Sequence, residues 1–279
     1  MEQEIRRLIA TALEEDRASS DATSQACIRP EERCQAHFRL KQDACVAGLL
    51  FMPWVFHSLD PTLKFKALAQ EGGVYKKGTL LAEIEGSALS LLAAERSALN
   101  MLQHLSGIAT TVTAYVEAVN TFGCDILDTR KTLPGLRNLQ KYAVRIGGGK
   151  NHRLHLADQI LIKNNHLALL KKEGCPFPVK EAIQRARLGA PILIEVEVES
   201  LEMLEEALEA GADRILLDNM DLPMMQQAVQ LCKGKAYLEA SGGMSLSKVR
   251  AVAACGVNGI SVGALTHSVC AVDINLSLT

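Results

Sequence analysis

From residue 122 onward the chain repeats one rhythm: a short apolar run, a turn, then, between the later runs, an amphipathic stretch of helical length. The runs are "CDILDT", "QILIKN", "PILIEVEV", "RILLDN", "AYLEAS" and "GISVG", and stretches such as "SLEMLEEALEAG" and "LPMMQQAVQLC" separate the later ones. Strands joined by helices cross over right-handed and lie parallel, so the rhythm predicts either a (β/α) barrel or an open doubly wound sheet. A doubly wound sheet typically offers a glycine-rich turn after its first strand, and none follows "CDILDT". The barrel is therefore the expectation.

Polar residues fall at one end of these runs. Asp128, Lys163, Glu197, Asp218, Glu239 with Ser241, and Ser261 each come at or just past the carboxyl end of an apolar run. In a barrel those ends share one face, where such folds build their sites. One such residue would be a solvated loop residue, whereas six in succession point to an active-site mouth.

The first part of the chain has a different rhythm. "MEQEIRRLIATALEED" is an amphipathic helix pattern with Ile5, Leu8, Ile9 and Leu13 on one face. "CQAHFRL", "ACVAGLL", "LKFKAL" and "TLLAEIEG" read as clustered strands of an antiparallel α+β unit, with "EGGVYKKGT" as a turn. Then "SALSLLAAERSALNMLQHLSGIATTVTAYVEAVN" carries a helical apolar period, and "SGIA" is expected to break or kink it into two helices. The domain boundary is placed there: 1–108 as an N-terminal domain, 109–267 as the barrel, and the tail 268–279 free to pack back on the first domain.

Between Asp128 and Asp158 there is no carboxylate, yet Arg130, Lys131, Arg137, Lys141, Arg145, Lys150 and Arg153 lie there with His152 and three consecutive glycines. The formal net charge of the chain is −2, so this basicity is local. A pI near 6.4 and 4% aromatic residues argue against a nucleic-acid coat and favour a small anion as partner. Two unit charges 4 Å apart at an effective dielectric of 20 are worth about 4 kcal/mol, so clustered cations call for a highly charged ligand such as a polyphosphate or polycarboxylate. Glu197 and Asp218 beside Lys163 suggest Mg²⁺ bridging carboxylates to phosphate oxygens. The glycines of "ASGGM" and "SVGAL" lie on late strands of the pattern, where backbone N–H groups commonly cradle phosphate. On a helix from Leu136 to about Arg145, Arg137 and Lys141 share a face that lines either pocket or solvent.

Other chemistries fit the residues less well. Lys163 as a Schiff-base lysine would need apolar neighbours, and "IKNNH" is polar. His152, His155 and His166 show no zinc-ligand spacing. Eight cysteines form no C-x-x-C pair and read as reduced thiols; with no signal peptide and no apolar run long enough to span a bilayer, a cytoplasmic home is expected.

Taken together, "LLAAERSALNMLQHLSGIAT", "DTRKTLPGLRNLQKYAVRIGGGKNHR", "ILIKNNH", "IEVEVES", "ILLDNM", "ASGGM" and "VGALTHS" closely resemble the quinolinate phosphoribosyltransferase family, the decarboxylating nicotinate-nucleotide pyrophosphorylases of NAD synthesis. The likeness runs through nearly the whole chain. It implies an α/β fold: an N-terminal α/β sandwich plus an incomplete, seven-strand-type (β/α) barrel of the type II phosphoribosyltransferase kind. It implies that quinolinate and phosphoribosyl pyrophosphate react with Mg²⁺ to give nicotinate mononucleotide, pyrophosphate and CO₂. By the same likeness Arg130, His152 and Arg153 hold the quinolinate carboxylates, with Thr129 and Lys163 nearby. Lys131 and Lys163 reach the phosphoribosyl pyrophosphate, and Glu197 and Asp218 serve the ribose hydroxyls and the metal. Ser241, Gly242, Gly243, Val262, Gly263 and Ala264 cradle the 5′-phosphate. Arg96, which alone reads as half of a surface ion pair with Glu95, is implied to enter the partner site of a homodimer, and such dimers can stack into hexamers. A same-fold transferase acting on another base, such as nicotinate, is the competing reading. The N-terminal "EEDRASSDATSQA" departs from the family pattern by lacking a glycine before Asp21, which leaves the loop conformation there open.

Overall fold

The structure is a computed structural model and describes residues 2–189 and 191–279. Two compact units divide the chain: one takes the residues up to Thr113 with Thr132–Gly148 and Leu265–Thr279, the other Ala114–Lys131 and Gly149–Ala264.

The first unit begins with α1 (Glu2–Glu15), which buries Ile5, Ile9 and Leu13 at four-residue spacing. Asp21 caps α2 (Ala22–Cys27) by accepting the Thr23 and Ser24 N–H groups at 3.1 Å, which settles the loop that the missing glycine left open. The chain continues through β1 (Arg33–Leu40), β2 (Ala44–Cys45), α3 (Met52–His57), β3 (Lys64–Ala67), β4 (Val74–Tyr75) and β5 (Leu80–Ser87). An antiparallel sheet takes the order C-terminal strand Ile274–Leu278, β1, β5, β3, with Ala36 opposite Leu278 and Leu40 opposite Ile274. Ala36, Phe38 and Leu40 point to the core on alternate residues, where Phe38 meets Phe56 and Phe65 edge-on.

Two expectations fail here. "ACVAGLL" is a strand only at Ala44–Cys45. At Gly48 the backbone turns with φ 104°, and the Glu71 carboxylate accepts the N–H groups of Gly48 and Leu50, drawing the chain into a helical turn. Nor does "SGIA" break a helix: α4 (Ala88–Val119) is continuous. Ser106 Oγ accepts the Ala47 N–H at 3.1 Å and Thr110 Oγ1 accepts that of Cys45 at 2.9 Å, so these hydroxyls satisfy a neighbouring backbone while the helix runs on. A Cβ on Gly107 would run into the Cys270 carbonyl, so the glycine serves close approach of the tail rather than a kink.

The second unit holds six parallel strands among the described residues: β6 (Asp125–Leu127), then, beyond α5 (Arg137–Ile146), β7 (Ile160–Ile162), β8 (Ile194–Val198), β9 (Arg214–Asp218), β10 (Tyr237–Ser241) and β11 (Gly259–Ser261). Between β7 and β8 lie α6 (Asn164–Lys172) and α7 (Pro178–Gly189); α8 (Leu201–Glu209), α9 (Leu222–Cys232) and α10 (Leu246–Ala254) follow β8, β9 and β10, and α11 (Ala264–His267) follows β11. The last strand, Ile274–Leu278, is β12. The sheet order is β6-β11-β10-β9-β8-β7, with no pairing recorded between β6 and β7. Instead of a seventh strand, one parallel bridge joins Leu127 to Lys150 beyond β6. Asp221 caps α9 through the Met224 N–H at 2.9 Å, with a proline in the first turn.

The basic segment divides differently from expectation. Thr132–Gly148, expected within the barrel, belongs to the first unit. Gln140 on α5 takes the Leu133 N–H at 3.0 Å, donates to the Thr266 carbonyl at 3.0 Å and meets His104 Nε2 at 3.0 Å; Tyr142 packs edge-on against Phe51. Lys141 is 1% exposed and so is no solvent residue, while Arg137 is half-buried with Nε on Thr132 Oγ1.

Candidate active site

Alternation along the parallel strands makes the site. In β8, Ile194, Val196 and Val198 are buried on one face, so Glu195 and Glu197 share the other. Register carries the rule sideways: Glu195 lies beside Arg214, Arg214 beside Tyr237, and Asp218 beside Ser241. The barrel interior is therefore built from charged and polar residues in rungs, and of the expected strand-end residues Lys163, Glu197 and Asp218 lie together at the mouth while Asp128, Glu239 and Ser261 are buried.

At the mouth Lys163 Nζ lies 3.1 Å from Glu197 Oε2, with Lys163 half-exposed and Glu197 nearly buried. This ion-paired, wet lysine is unlike a Schiff-base lysine. Burial first, and the Glu197 charge second, raise the pKa of Asp218, against which Lys163 and Lys131 act. Four charged groups from β8, β9 and two loops are thus within electrostatic reach of one another. Two carboxylates that press on each other's charge supply hard oxygen donors that a divalent cation satisfies.

Arg153 and Arg130 form a second centre. Burial first, and the Arg130 charge second, depress the pKa of Arg153; Glu195 and Asp158 oppose this. Arg153 donates from Nη1 to the Gln159 carbonyl at 3.1 Å, which aims its guanidinium. Arg130 Nε is buried without a hydrogen-bond partner among the described residues. A like-charged pair with an unspent donor is a demand for an anion with more than one oxygen. Thr129 Oγ1 accepts the Lys131 N–H at 3.0 Å and shapes the turn that presents both cations.

The glycine loop after β10 has a left-handed backbone. Gly242 and Gly243 have φ 95° and 55°, and a Cβ on Gly242 would strike the Asn219 side chain. Asn219, itself at φ 55°, donates its N–H to the Ser241 carbonyl at 3.0 Å, so the loops after β9 and β10 are locked together. After β11 one expectation needs correction. The Val262 N–H closes the ladder onto the Leu127 carbonyl at 2.9 Å and its side chain is buried, so Val262 offers no donor to a phosphate. Gly263 and Ala264 follow it into α11.

His152 also departs from expectation. It is 8% exposed, and both ring nitrogens are engaged: Nδ1 accepts the Arg153 N–H at 2.8 Å, and Nε2 lies 2.9 Å from Glu195 Oε2 and 3.6 Å from Glu239 Oε2. It cannot grip a carboxylate without breaking these bonds. Asp128, expected at the mouth, is fully buried and accepts the His152 N–H at 2.8 Å and the Asn151 amide at 2.6 Å, pinning the segment that carries His152 and Arg153.

Beneath the mouth lies a cluster that sequence reading did not assemble: it placed Glu239 at the mouth and passed over Glu195. Glu195 and Glu239 are fully buried; Gln159 Nε2 donates to Glu195 Oε2 at 2.7 Å and Arg214 Nη2 to Glu239 Oε2 at 3.0 Å. With His152 they place three possible ligand atoms within 4.8 Å of one another. Burial first, and the Glu195 charge second, raise Glu239 to about 7, with His152 and Arg214 pulling the other way. Among the other histidines, His155 pairs with Asp158 at 2.8 Å and His166 accepts the Lys163 N–H at 2.8 Å, both structural tasks.

Arg96 belongs to the first unit. It is exposed on α4 and lines a cleft of about 440 Å³ with Glu15 and Asp16 beyond α1's buried face and with His104 and Leu136.

Comparisons with known proteins place the chain's family and fold. Residues 21–106 match the family model for the quinolinate phosphoribosyl transferase N-terminal domain, and residues 108–277 that for its C-terminal domain. A Bacillus subtilis protein described as a probable nicotinate-nucleotide pyrophosphorylase [carboxylating] is 40% identical, over 99% of this chain and 94% of its own length. A Nicotiana glauca protein, quinolinate phosphoribosyltransferase [decarboxylating] 2, mitochondrial, is 37% identical over 99% of this chain and 82% of its own. The crystal structure of NadC from Streptococcus pyogenes superposes with a TM-score of 0.93 at 39% identity, covering 100% of this chain and 98% of that one.

Proposed function

This chain belongs to the quinolinate phosphoribosyltransferase family, and we infer that it transfers phosphoribosyl from phosphoribosyl pyrophosphate to quinolinate in de novo NAD synthesis. One quinolinate carboxyl leaves as CO₂, and nicotinate mononucleotide and pyrophosphate are the other products. The observation that carries the reading is the Arg130–Arg153 pair, with its buried, unpartnered Nε facing a need for carboxylate oxygens.

The residue roles follow from the geometry. Arg130 and Arg153 hold the quinolinate carboxylates, with Thr129 ordering the turn. Lys163 and Lys131 meet the anionic phosphoribosyl pyrophosphate, and Ser241, Gly242, Gly243, Gly263 and Ala264 take its 5′-phosphate. Glu197 and Asp218 face the ribose hydroxyls, and their mutual charge supports Mg²⁺ as the resident ion. When bound, Mg²⁺ supplies charge stabilisation to the departing pyrophosphate. As the bond from the ribose carbon to pyrophosphate breaks, positive charge grows on the sugar, and ionised Glu197 and Asp218 are placed to favour it. Clamping the pyridine ring in line turns the attack of its nitrogen into an effectively unimolecular step. Once that nitrogen is quaternised, the ring carbon holds the electron pair left by CO₂ and takes a proton from water to complete nicotinate mononucleotide.

Exposed Arg96, lining the cleft on α4, supports a homodimer in which it completes a partner's site. Light scattering at micromolar concentration tests this, with a hexamer of stacked dimers as a further assembly. Eight unpaired cysteines, four of them buried, support a reducing cytoplasm as its location. No helix among the described residues is long and apolar enough to cross a membrane.

The test is an assay with quinolinate, phosphoribosyl pyrophosphate and Mg²⁺ that follows CO₂ and nicotinate mononucleotide together, with nicotinate as control base. Both products from quinolinate and none from nicotinate are expected. Turnover of nicotinate alone would overturn the dicarboxylate clamp, and loss of activity unrestored by Mg²⁺ after chelation would overturn the choice of ion.

A further inference from the structure

Glu195 is an interior carboxyl to which the proposed chemistry gives no task. Its side chain is fully buried beneath the mouth, and its Oε1 has no hydrogen-bond partner among the described residues. A buried carboxylate with an unsatisfied oxygen costs stability that an apolar residue of the same size would not. Its other oxygen is where the contacts converge. Oε2 accepts from Gln159 Nε2 at 2.7 Å and lies 2.9 Å from His152 Nε2.

The direction of each bond is fixed by its chemistry. A backbone N–H can only donate, so the Arg153 N–H, 2.8 Å from His152 Nδ1, requires a lone pair on that nitrogen. The ring proton is then on Nε2 and needs an acceptor. Glu195 is the one that fits, because Glu239 Oε2 is farther, at 3.6 Å, and already takes the Arg214 guanidinium at 3.0 Å. From Glu195 a second branch runs back to the same arginine. Gln159 donates its amide to Oε2, and its backbone carbonyl accepts Arg153 Nη1 at 3.1 Å. The loop between the two is closed by Asp158, whose Oδ2 accepts the Leu154 N–H at 2.6 Å and the His155 N–H at 3.1 Å. Arg153 is thus gripped at its backbone and at its guanidinium by two branches that meet on one oxygen.

We propose that Glu195 is a positioning residue for the dicarboxylate clamp: its Oε2 holds the His152 ring with Nδ1 turned to the Arg153 backbone, and anchors the Gln159 side chain, whose residue's carbonyl aims the Arg153 guanidinium. The ligand's identity rests on the function proposed above. The grip has a task because Arg130 brings a like charge to bear on Arg153. An arginine held only by its own chain would swing from that charge toward water, and the substrate would have to order it on binding. Held at both ends, it meets the ligand already in place.

Steady-state kinetics of the whole enzyme, with calorimetry of quinolinate binding, test this. Glu195→Leu keeps the bulk and removes the acceptor. KM and Kd for quinolinate are expected to rise about tenfold, while kcat and KM for phosphoribosyl pyrophosphate stay within about twofold, as loss of one preordered side chain implies. Glu195→Gln keeps an oxygen that both donors can reach and should bring the quinolinate constants most of the way back. Unchanged quinolinate constants in the leucine variant, a glutamine variant as impaired as the leucine one, or equal rises for both substrates would overturn the proposal. Ring-nitrogen NMR of ¹⁵N-histidine in the unaltered protein gives a readout independent of how the variants fold. His152 is expected in the Nε2–H form at the pH of the assay, and an Nδ1–H or doubly protonated ring overturns the proposal. Quinolinate that binds the unaltered protein, binds the leucine variant more weakly and is turned over by neither would support the positioning role and sink the functional reading alone.

Discussion

Lys163 places its ammonium 3.1 Å from Glu197 Oε2, so the carboxylate proposed to hold Mg²⁺ is already paired with the cation proposed to meet the substrate. Neither can be fully engaged by its ligand while the pair is intact, and loading the site means sharing or breaking it. Truncating the lysine should therefore act in two opposite directions. In Lys163→Ala, kcat/KM is expected to fall about 100- to 1000-fold, the usual loss for a missing electrostatic donor. Binding of Mg²⁺ alone, measured by calorimetry, should tighten a few-fold because Glu197 and Asp218 lose a competing cation. Weakened metal binding in that variant would mean that the lysine helps to build the carboxylate pair instead of competing for it.

The clamp makes a second prediction. Arg153 reaches its ligand from a segment pinned by Asp128, whereas the phosphate loop belongs to β10 and its neighbours. Arg153→Ala should therefore raise KM for quinolinate about 100-fold, in keeping with loss of one partner of a desolvated charge pair, and leave KM for phosphoribosyl pyrophosphate within about twofold. Equal losses for both substrates would remove Arg153 from the clamp.

Gly242 and Gly243 separate two kinds of strain. Both have positive φ, but a Cβ at Gly242 meets Asn219 while one at Gly243 meets nothing within 4 Å. A non-glycine residue in the left-handed region costs roughly 1–2 kcal/mol. Gly243→Ala should raise KM for phosphoribosyl pyrophosphate about tenfold, and Gly242→Ala more, because it also displaces the loop after β9. A reversed order in the two measured values would show that the contact with Asn219 does not position the loop.

Much of this was written in the sequence where a local pattern sufficed. A polar residue at the end of each apolar run is visible without a structure, because parallel strands put all such ends on one face. Glu195 escaped for the opposite reason, and Glu239, read as a residue of the mouth, lies buried beside it. "IEVEV" alternates as any half-exposed strand does, and only the barrel turns its polar face inward onto His152. The role of His152 was misjudged on the same ground, since the partners of its ring nitrogens include a carboxylate brought in from a distant strand. Gly107 looked like a helix breaker because its cause, the carbonyl of Cys270, lies at the other end of the chain. The basic helix was assigned to the barrel because one boundary was drawn, at "SGIA", whereas Gln140, Tyr142 and their partners decide its place.

Buried Glu239, raised to about 7 by its burial and the Glu195 charge, has a thermodynamic signature. In the unfolded chain Glu239 titrates near its ordinary 4.5, and in the fold near 7, so between those values the native state binds the extra proton. Stability therefore falls with rising pH there: the contribution is fully present below about 4.5 and lost once pH passes about 7. Lowered carboxylates such as Asp43, held by Lys76, act oppositely but are complete before that window opens. Scanning calorimetry between about pH 5 and about pH 8 should show Tm declining by on the order of 5 °C in the unaltered protein. Glu239→Gln, which has nothing to ionise at that position, should flatten the slope and melt higher at the alkaline end. An unchanged slope in the variant would place the proton elsewhere in the cluster and remove Glu239 as its holder.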